Sequence, residues 1–221
     1  NIATVPRLLG WDRARIRARV DELLSLVSLD PDTYRDRYPH QLSGGQAQRI
    51  GVARALAASP DVLLMDEPFS AVDPEVRHAL QLEFGRWVRE LGATTIFVTH
   101  DVDEAVAVGD RIVVLGTGCA IEQVGSTLDV LVHPANDAVT SILGNHWALR
   151  ALALIPVSAA TEPGTSLGPA VPPTANARDA VEQMLRLDVS ELSVVDGNAH
   201  GVITWTSLQA ALVRARGGLR D

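Results

Sequence analysis

The chain has 221 residues, a net charge of −8 and 47% hydrophobic residues, enough for one sizeable domain and a small one. The acidic balance excludes nucleic acid as the main partner, because a phosphate-binding surface needs a basic patch. A single cysteine, Cys119, excludes an internal disulfide framework and fits a reducing compartment, and no apolar run approaches the roughly 20 residues of a membrane span.

In chain order, residues 1–10 read as the tail of a loop. Asp12 to Leu29 is an amphipathic helix: Ile16, Val20, Leu23, Leu24 and Val27 share one face, while Arg13, Arg15, Arg17 and Arg19 lie mostly elsewhere, on a solvated face. Asp30-Pro31 ends it, and Tyr34, Arg35, Arg37 and Tyr38 follow ahead of Pro39. A second helix, Ala47 to Ala58, opens behind Leu42-Ser43-Gly44-Gly45-Gln46 and stops at Ser59-Pro60, since a residue before proline is pushed out of the α region. Val62 to Met65 has no polar break and reads as a parallel strand buried on both faces. Asp66 and Glu67 stand at its C-terminal end, where α/β sheets bind ligands.

Asp73-Pro74 starts another helix, with Val76, Leu80, Phe84, Trp87, Val88 and Leu91 as its apolar stripe and Gly92 at its C-terminal cap. Thr94 to Thr99 is a second buried strand, which places His100 at the same sheet end as Glu67. Asp101 and Glu104 read as caps of a short helix. Arg111 to Leu115 and Cys119 to Val124 form a hairpin about Gly116-Thr117-Gly118. Ser126 with Asp129 caps the next helix, His133 reads as a surface loop residue, and Asn136 to Leu143 is a helix closed by Gly144.

The stretch from Gln41 to Pro74 carries the chemistry. Gly44 and Gly45 leave room for a phosphate against the backbone, and the free N–H groups at a helix start favour an anion. Asp66 suits a Mg²⁺ water shell, and Glu67 can orient or deprotonate a water. Taken separately, the same residues also describe a Ser-Gly-Gly turn, a core helix, a core strand and an acidic turn. In this order and spacing they resemble the signature motif, Walker B strand and D-loop of ABC-type ATPases. Val98-Thr99-His100-Asp101 resembles the histidine switch loop of the same family.

The resemblance implies an α/β fold, a partial P-loop NTPase domain over residues 1–144, and the cofactors ATP and Mg²⁺. By motif match Glu67 is the catalytic base, His100 the γ-phosphate switch and Asp66 the Mg²⁺ residue through water. Ser43, Gly44, Gly45 and Gln46 contact ATP across a dimer, and Asp73 is the D-loop residue. The first helices would form the helical subdomain that docks on a membrane subunit. All 19 basic residues are arginine, so a GxxxxGK[ST] Walker A loop has no place in this chain. With Asn1 at its start, the chain is expected to be a fragment whose N-terminal part holds that loop.

Residues 145–221 read as a linker and a second, small α+β unit. Thr161 to Pro173 is rich in proline and glycine. Asn176 caps a helix with Ala180, Val181, Met184 and Leu187 buried. Leu192 to Val195 and Gly201 to Thr204 are strands about the turn signal Asp196-Gly197, and Leu208, Leu212 and Val213 lie on a last helix. This order resembles one CBS motif over roughly Leu152 to Val213, carried by Val194-Val195-Asp196 and Gly201-Val202-Ile203-Thr204. Such motifs normally pair, and here there is one. Nucleotide-binding members often carry an aspartate where this chain has Ser207.

An ABC ATPase followed by CBS resembles the ATPase subunits of prokaryotic osmoprotectant importers for glycine betaine, carnitine, choline or proline, as do residues 1–10 and Tyr34 to Gln46. That implies a peripheral protein on the cytoplasmic face of the cell membrane. Its partners would be a permease, a second ATPase subunit and, indirectly, a substrate-binding protein. The alternatives are a non-transport ABC ATPase and a regulatory CBS module on an inactive remnant. Because positioning of the phosphates supplies most of phosphoryl-transfer catalysis, the chain by itself is expected to show no Mg²⁺-dependent ATP turnover above background in a steady-state assay.

Overall fold

In the computed structural model, which describes residues 1–70, 77, 81, 83–88, 92–196 and 199–217, the chain separates into two units, Asn1–Gly109 and Asp110–Asp221. The motif boundary expected at Gly144 falls inside the second of these.

The first unit begins with a short helix, α1 (Thr4–Leu8), where a loop is expected; burial of Ile2 and Pro6 anchors it. Asp12 caps α2 (Arg13–Leu26) by accepting from Arg15 N at 2.9 Å. Asp30 caps α3 (Pro31–Tyr34), and Ser43 caps α4 (Gly44–Leu56). The expected stripe of α2 is the one observed: Leu23, Leu24 and Val27 are fully buried, and Ile16 and Val20 nearly so. Each such side chain contributes about 2 kcal/mol of hydrophobic stabilisation.

Arginines tie α2 and α4 together reciprocally. Arg19 donates to Leu56 O at 2.9 Å, Ala57 O at 3.4 Å and Ser59 Oγ at 2.9 Å, so it closes the C-terminus of α4. Arg49 of α4 donates to Val27 O at 2.9 Å, just past the end of α2. Cations at helix C-termini satisfy the last carbonyls and oppose the dipole. Arg19 is therefore not part of the solvated face.

Strand β1 (Val62–Asp66) pairs in parallel with β2 (Thr94–Val98), with Asp66 opposite Val98. Neither strand is covered on both faces among the described residues. Leu63 and Met65 enter the core, while Val62, Leu64, Ile96 and Val98 are at least half exposed. A parallel strand is doubly buried only where helices cover both sides, and this two-stranded sheet has one covered side. Phe69, Phe84 and Phe97 cluster at centroid distances of 5.7–5.8 Å beneath it. Of the helix expected after Asp73-Pro74, residues 77, 81 and 83–88 are described and helical, with Phe84 and Trp87 buried. Asp73, Val76, Leu80 and Leu91 lie outside the described residues. Helix α5 (Val102–Val108) ends the unit.

The second unit opens with the antiparallel hairpin β3 (Arg111–Leu115) and β4 (Ile121–Ser126). Gly118 and Cys119 both take left-handed backbone, φ 67° and 60°, so the return strand starts two residues later than expected. Ser126 and Asn136 cap α6 (Thr127–Val132) and α7 (Asp137–Leu143), and Gly144 closes α7 at φ 68°. Two further helices, α8 (Trp147–Leu154) and α9 (Val157–Ala160), occupy the apolar run that follows. His133 is not a free surface residue: its ring bonds Asp129 Oδ1 at 3.1 Å and the carbonyl of Arg216.

The remaining strands, β5 (Glu162–Pro163), β6 (Ala170–Val171), β7 (Glu191–Asp196) and β8 (Ala199–Thr204), form one sheet in the order β5-β8-β7-β6. β6 runs parallel to β7, and β7 antiparallel to β8. Helices α10 (Ala177–Leu187) and α11 (Trp205–Gly217) complete a strand-helix-strand-strand-helix order. Leu192, Val194 and Ile203 pack with Ala180, Met184 and Leu208 in a second core. Leu187, expected inside, is 44% exposed. A Cβ on Gly201 would collide with the Thr161 methyl, so glycine is required there by close approach of β5.

Replacing Arg19 by Met keeps the apolar stem but removes four donated hydrogen bonds, two of them to part-buried backbone carbonyls and one to the Glu22 carboxylate. Thermal or urea unfolding of Arg19→Met is expected to show a loss of about 1–3 kcal/mol.

Candidate active site

The signature stretch is built as a capped helix start. Ser43 has extended backbone, its Oγ accepts from Gln46 N at 3.3 Å, and Gln46 Oε1 accepts from Ser43 N at 3.0 Å. This reciprocal capping box fixes the entry to α4. Gln46 Nε2 donates to the Tyr34 hydroxyl at 2.9 Å, which ties the turn to α3. Gly44 and Gly45 occupy the first turn of a 13-residue helix. No atom lies within 4 Å of where a Gly44 Cβ would stand, so packing within the chain does not demand glycine there. Ser43 and Gly44 are exposed.

Parallel pairing of β1 with β2 brings the other candidates together. Asp66 ends β1 on its exposed face, and Glu67 is the next residue. Glu67 N donates to Val98 O at 2.9 Å, which continues the ladder one step beyond the strand. Glu67 has φ 43°, a left-handed conformation that is uncommon for a non-glycine residue and that concentrates at functional sites. Its Oε1 lies 2.8 Å from His100 Nδ1. Ser70 donates to the Glu67 carbonyl through both N, at 3.2 Å, and Oγ, at 3.0 Å.

The carboxylate of Glu67 holds the His100 imidazole above its ordinary pKa, first by hydrogen bonding and then by charge; partial burial opposes this, and the charges of Glu104 and Asp101 add to it. The pair is open to solvent, with the His100 side chain 75% exposed and that of Glu67 44%. A reacting group could therefore reach both. Among the described residues no group of three or more His, Cys, Asp or Glu could hold a metal ion unaided. Exposed Asp66 fits the alternative mode, in which magnesium takes one carboxylate, waters and phosphate oxygens from the substrate. Sequence reasoning places Ser43, Gly44, Gly45, Gln46, Asp66, Glu67 and His100 on described positions. The structure joins Glu67 to His100 and Ser43 to Gln46.

Residues 3–70 match the family described as ABC transporter. Relatives extend the likeness. The glycine betaine uptake system ATP-binding protein YehX of Escherichia coli is 54% identical over 155 residues, 70% of this chain and 50% of that protein. The osmoprotectant import ATP-binding protein OsmV of Salmonella typhimurium is 44% identical over 200 residues, 90% of this chain and 51% of that protein. The sulfate/thiosulfate import ATP-binding protein CysA of Bradyrhizobium diazoefficiens is 52% identical over 143 residues, 63% of this chain and 40% of that protein. The chain spans about half the length of the two osmoprotectant relatives. ABC ATPases bind ATP, generally with Mg²⁺, and the ATP-binding subunits of importers generally work with membrane permeases. No helix among the described residues is long and apolar enough to cross a membrane.

Two supporting residues escaped the sequence reading. Tyr34 secures Gln46, and Glu104, taken for a cap, is instead buried against Thr99. The spacing of Asp101 and Glu104 signals a capping box, but the Asp101 carboxylate alone accepts from the helix start. An apolar side such as that of Ala105 or Val106 gives no hint that a carboxylate turns inward.

Because Glu67 favours the charged imidazole, their pairing stabilises the fold on the acid side of the ordinary imidazole pKa and is lost as pH rises through the raised value. NMR titration of Glu67→Gln is expected to show the His100 midpoint moved down toward the ordinary histidine range.

Proposed function

We propose that the chain is part of the ATP-hydrolysing subunit of an importer for a quaternary-ammonium osmoprotectant of the glycine betaine type. The observation that carries hydrolysis is the 2.8 Å contact between Glu67 and His100 at the C-terminal ends of two paired parallel strands, beside Asp66. Glu67 takes the proton of the attacking water as general base. His100 presents its other ring nitrogen to the γ-phosphate while Nδ1 stays on Glu67. Asp66 holds Mg²⁺ through water, and the metal when bound neutralises charge on the phosphate oxygens.

Ser43, Gly44, Gly45 and Gln46 face the nucleotide held by a second ATPase subunit, and Asp73 links the two sites through the D-loop. The open space about Gly44 and the positive end of α4 support that role. In this reading residues 1–144 are the later part of the ATPase domain, whose Walker A loop lies outside this chain. Residues 145–221 are a linker and a CBS unit, supported by the strand-helix-strand-strand-helix order. Ser207 is 1% exposed, and its Oγ is engaged with Thr204 N and O. That commitment argues against nucleotide capture by this residue. Permease subunits, and through them a substrate-binding protein, are the partners, and the assembly sits at the cytoplasmic face of the membrane.

The solute class rests on the relatives. Identity to YehX and to CysA is nearly equal, so identity alone does not separate betaine from sulfate. The OsmV alignment leaves only 21 of the 221 residues unmatched and so enters residues 145–221, which favours the osmoprotectant reading.

The test is uptake into proteoliposomes holding the complete ATPase subunit and its permease. Labelled glycine betaine is expected to accumulate with ATP while labelled sulfate does not. Glu67→Gln should lower turnover by about 10²–10⁴ without loss of nucleotide binding. Sulfate uptake would overturn the solute class, and near-normal turnover of Glu67→Gln would remove Glu67 from the chemistry.

A further inference from the structure

Glu104 is the only buried carboxylate among the described residues, at 4% exposure, and neither the hydrolytic step nor the helix cap uses it. A carboxylate withdrawn from water is costly unless it is hydrogen-bonded and paired. Its Oε2 accepts from the Thr99 hydroxyl at 2.6 Å, and its Oε1 lies 3.9 Å from the Arg77 guanidinium, which is also 3.8 Å from Asp101 Oδ2. The same Thr99 oxygen accepts from Asp101 N at 3.0 Å. Asp101 Oδ1 in turn accepts from Asp103 N at 2.8 Å and Glu104 N at 3.4 Å. Thr99, Asp101 and Glu104 thus close a ring of hydrogen bonds around the one residue between Thr99 and Asp101, which is His100.

His100 needs such a frame. Its side chain is largely exposed and is held by a contact to Glu67, which is itself open to solvent. A surface ion pair of this kind is weak by itself, because holding two mobile side chains costs entropy. It persists when the backbone that carries one partner is fixed. We infer that Glu104 is a positioning residue: through Thr99 it locks the turn from β2 into α5 and so aims His100 at Glu67. The inference rests on the reading of Glu67 and His100 as the reacting pair. A carboxylate suits the place better than an amide of equal size, since it only accepts and so matches the Thr99 proton and the nearby guanidinium.

The experiment uses the full 221-residue chain and NMR cross-peaks between the His100 ring protons and the Glu67 side-chain protons, with unfolding midpoints recorded alongside. Thr99→Val keeps the shape of the side chain and the charge of Glu104 but removes the hydroxyl. It is expected to lose the cross-peaks, and Thr99→Ser is expected to restore them. Glu104→Gln should weaken them in the same sense, and Thr99→Val carries the test if Glu104→Gln fails to fold. Retention of wild-type cross-peaks in folded Thr99→Val, with only the unfolding midpoint lowered, would make Glu104 a packing residue and overturn the inference. Absence of the cross-peaks in the wild-type chain would overturn the Glu67–His100 pairing itself and the inference with it. No readout depends on ATP turnover, so the result stands apart from the transport assay.

Discussion

The parallel ladder between β1 and β2 is the constraint on which the candidate site depends. Its register sets Asp66 opposite Val98, and one further bond, Glu67 N to Val98 O, carries the pairing past the strand end. In that place Glu67 adopts a left-handed backbone and extends to His100. A one-residue slip would turn every side chain to the opposite face, leaving Leu63 and Met65 outside and separating the two reacting groups. The aromatic cluster of Phe69, Phe84 and Phe97 under the covered side opposes such a slip.

Helix ends organise the rest of the first unit. Aspartate or serine starts α2, α3, α4 and α5, and arginine from the facing helix closes both α2 and α4. The signature turn is one of these helix starts, so one capping box begins α4 and occupies the N–H groups of Ser43 and Gln46, which leaves those of Gly44 and Gly45 without an intrahelical acceptor. Local helix physics and the proposed nucleotide contact therefore draw on the same residues. That economy is why a Ser-Gly-Gly turn is ambiguous when seen without its surroundings.

The exposed sides of β1 and β2 place the comparisons in physical terms. Val62, Leu64, Ile96 and Val98 are the residues a buried parallel strand would present to a second layer, and this chain spans about half the length of its osmoprotectant relatives. The second unit differs in that respect. Its sheet β5-β8-β7-β6 has a core of its own from α8 to α11, and His133 and Gly201 are fixed by close neighbours within it.

Much of this was legible in the chain alone, because it depends on local rules. Period and capping residues located α2, α4, α7 and α10. A β-branched run located β2, and the order of Gly44-Gly45, Asp66-Glu67 and His100 pointed to phosphate chemistry. What escaped depends on contacts that only the folded chain makes. The helices Thr4–Leu8 and Trp147–Leu154 form where apolar residues find a core, a matter of tertiary burial rather than propensity. Arg19 and Glu104 look like surface charges in sequence, and only folding supplies the α4 carbonyls for the one and the Thr99 hydroxyl for the other. The sequence by itself determined which groups could do the chemistry, since residue type and spacing set donors, acceptors and charge. Only the tertiary structure decided which of them meet, because strand register and helix packing bring together residues as far apart as Glu67 and His100.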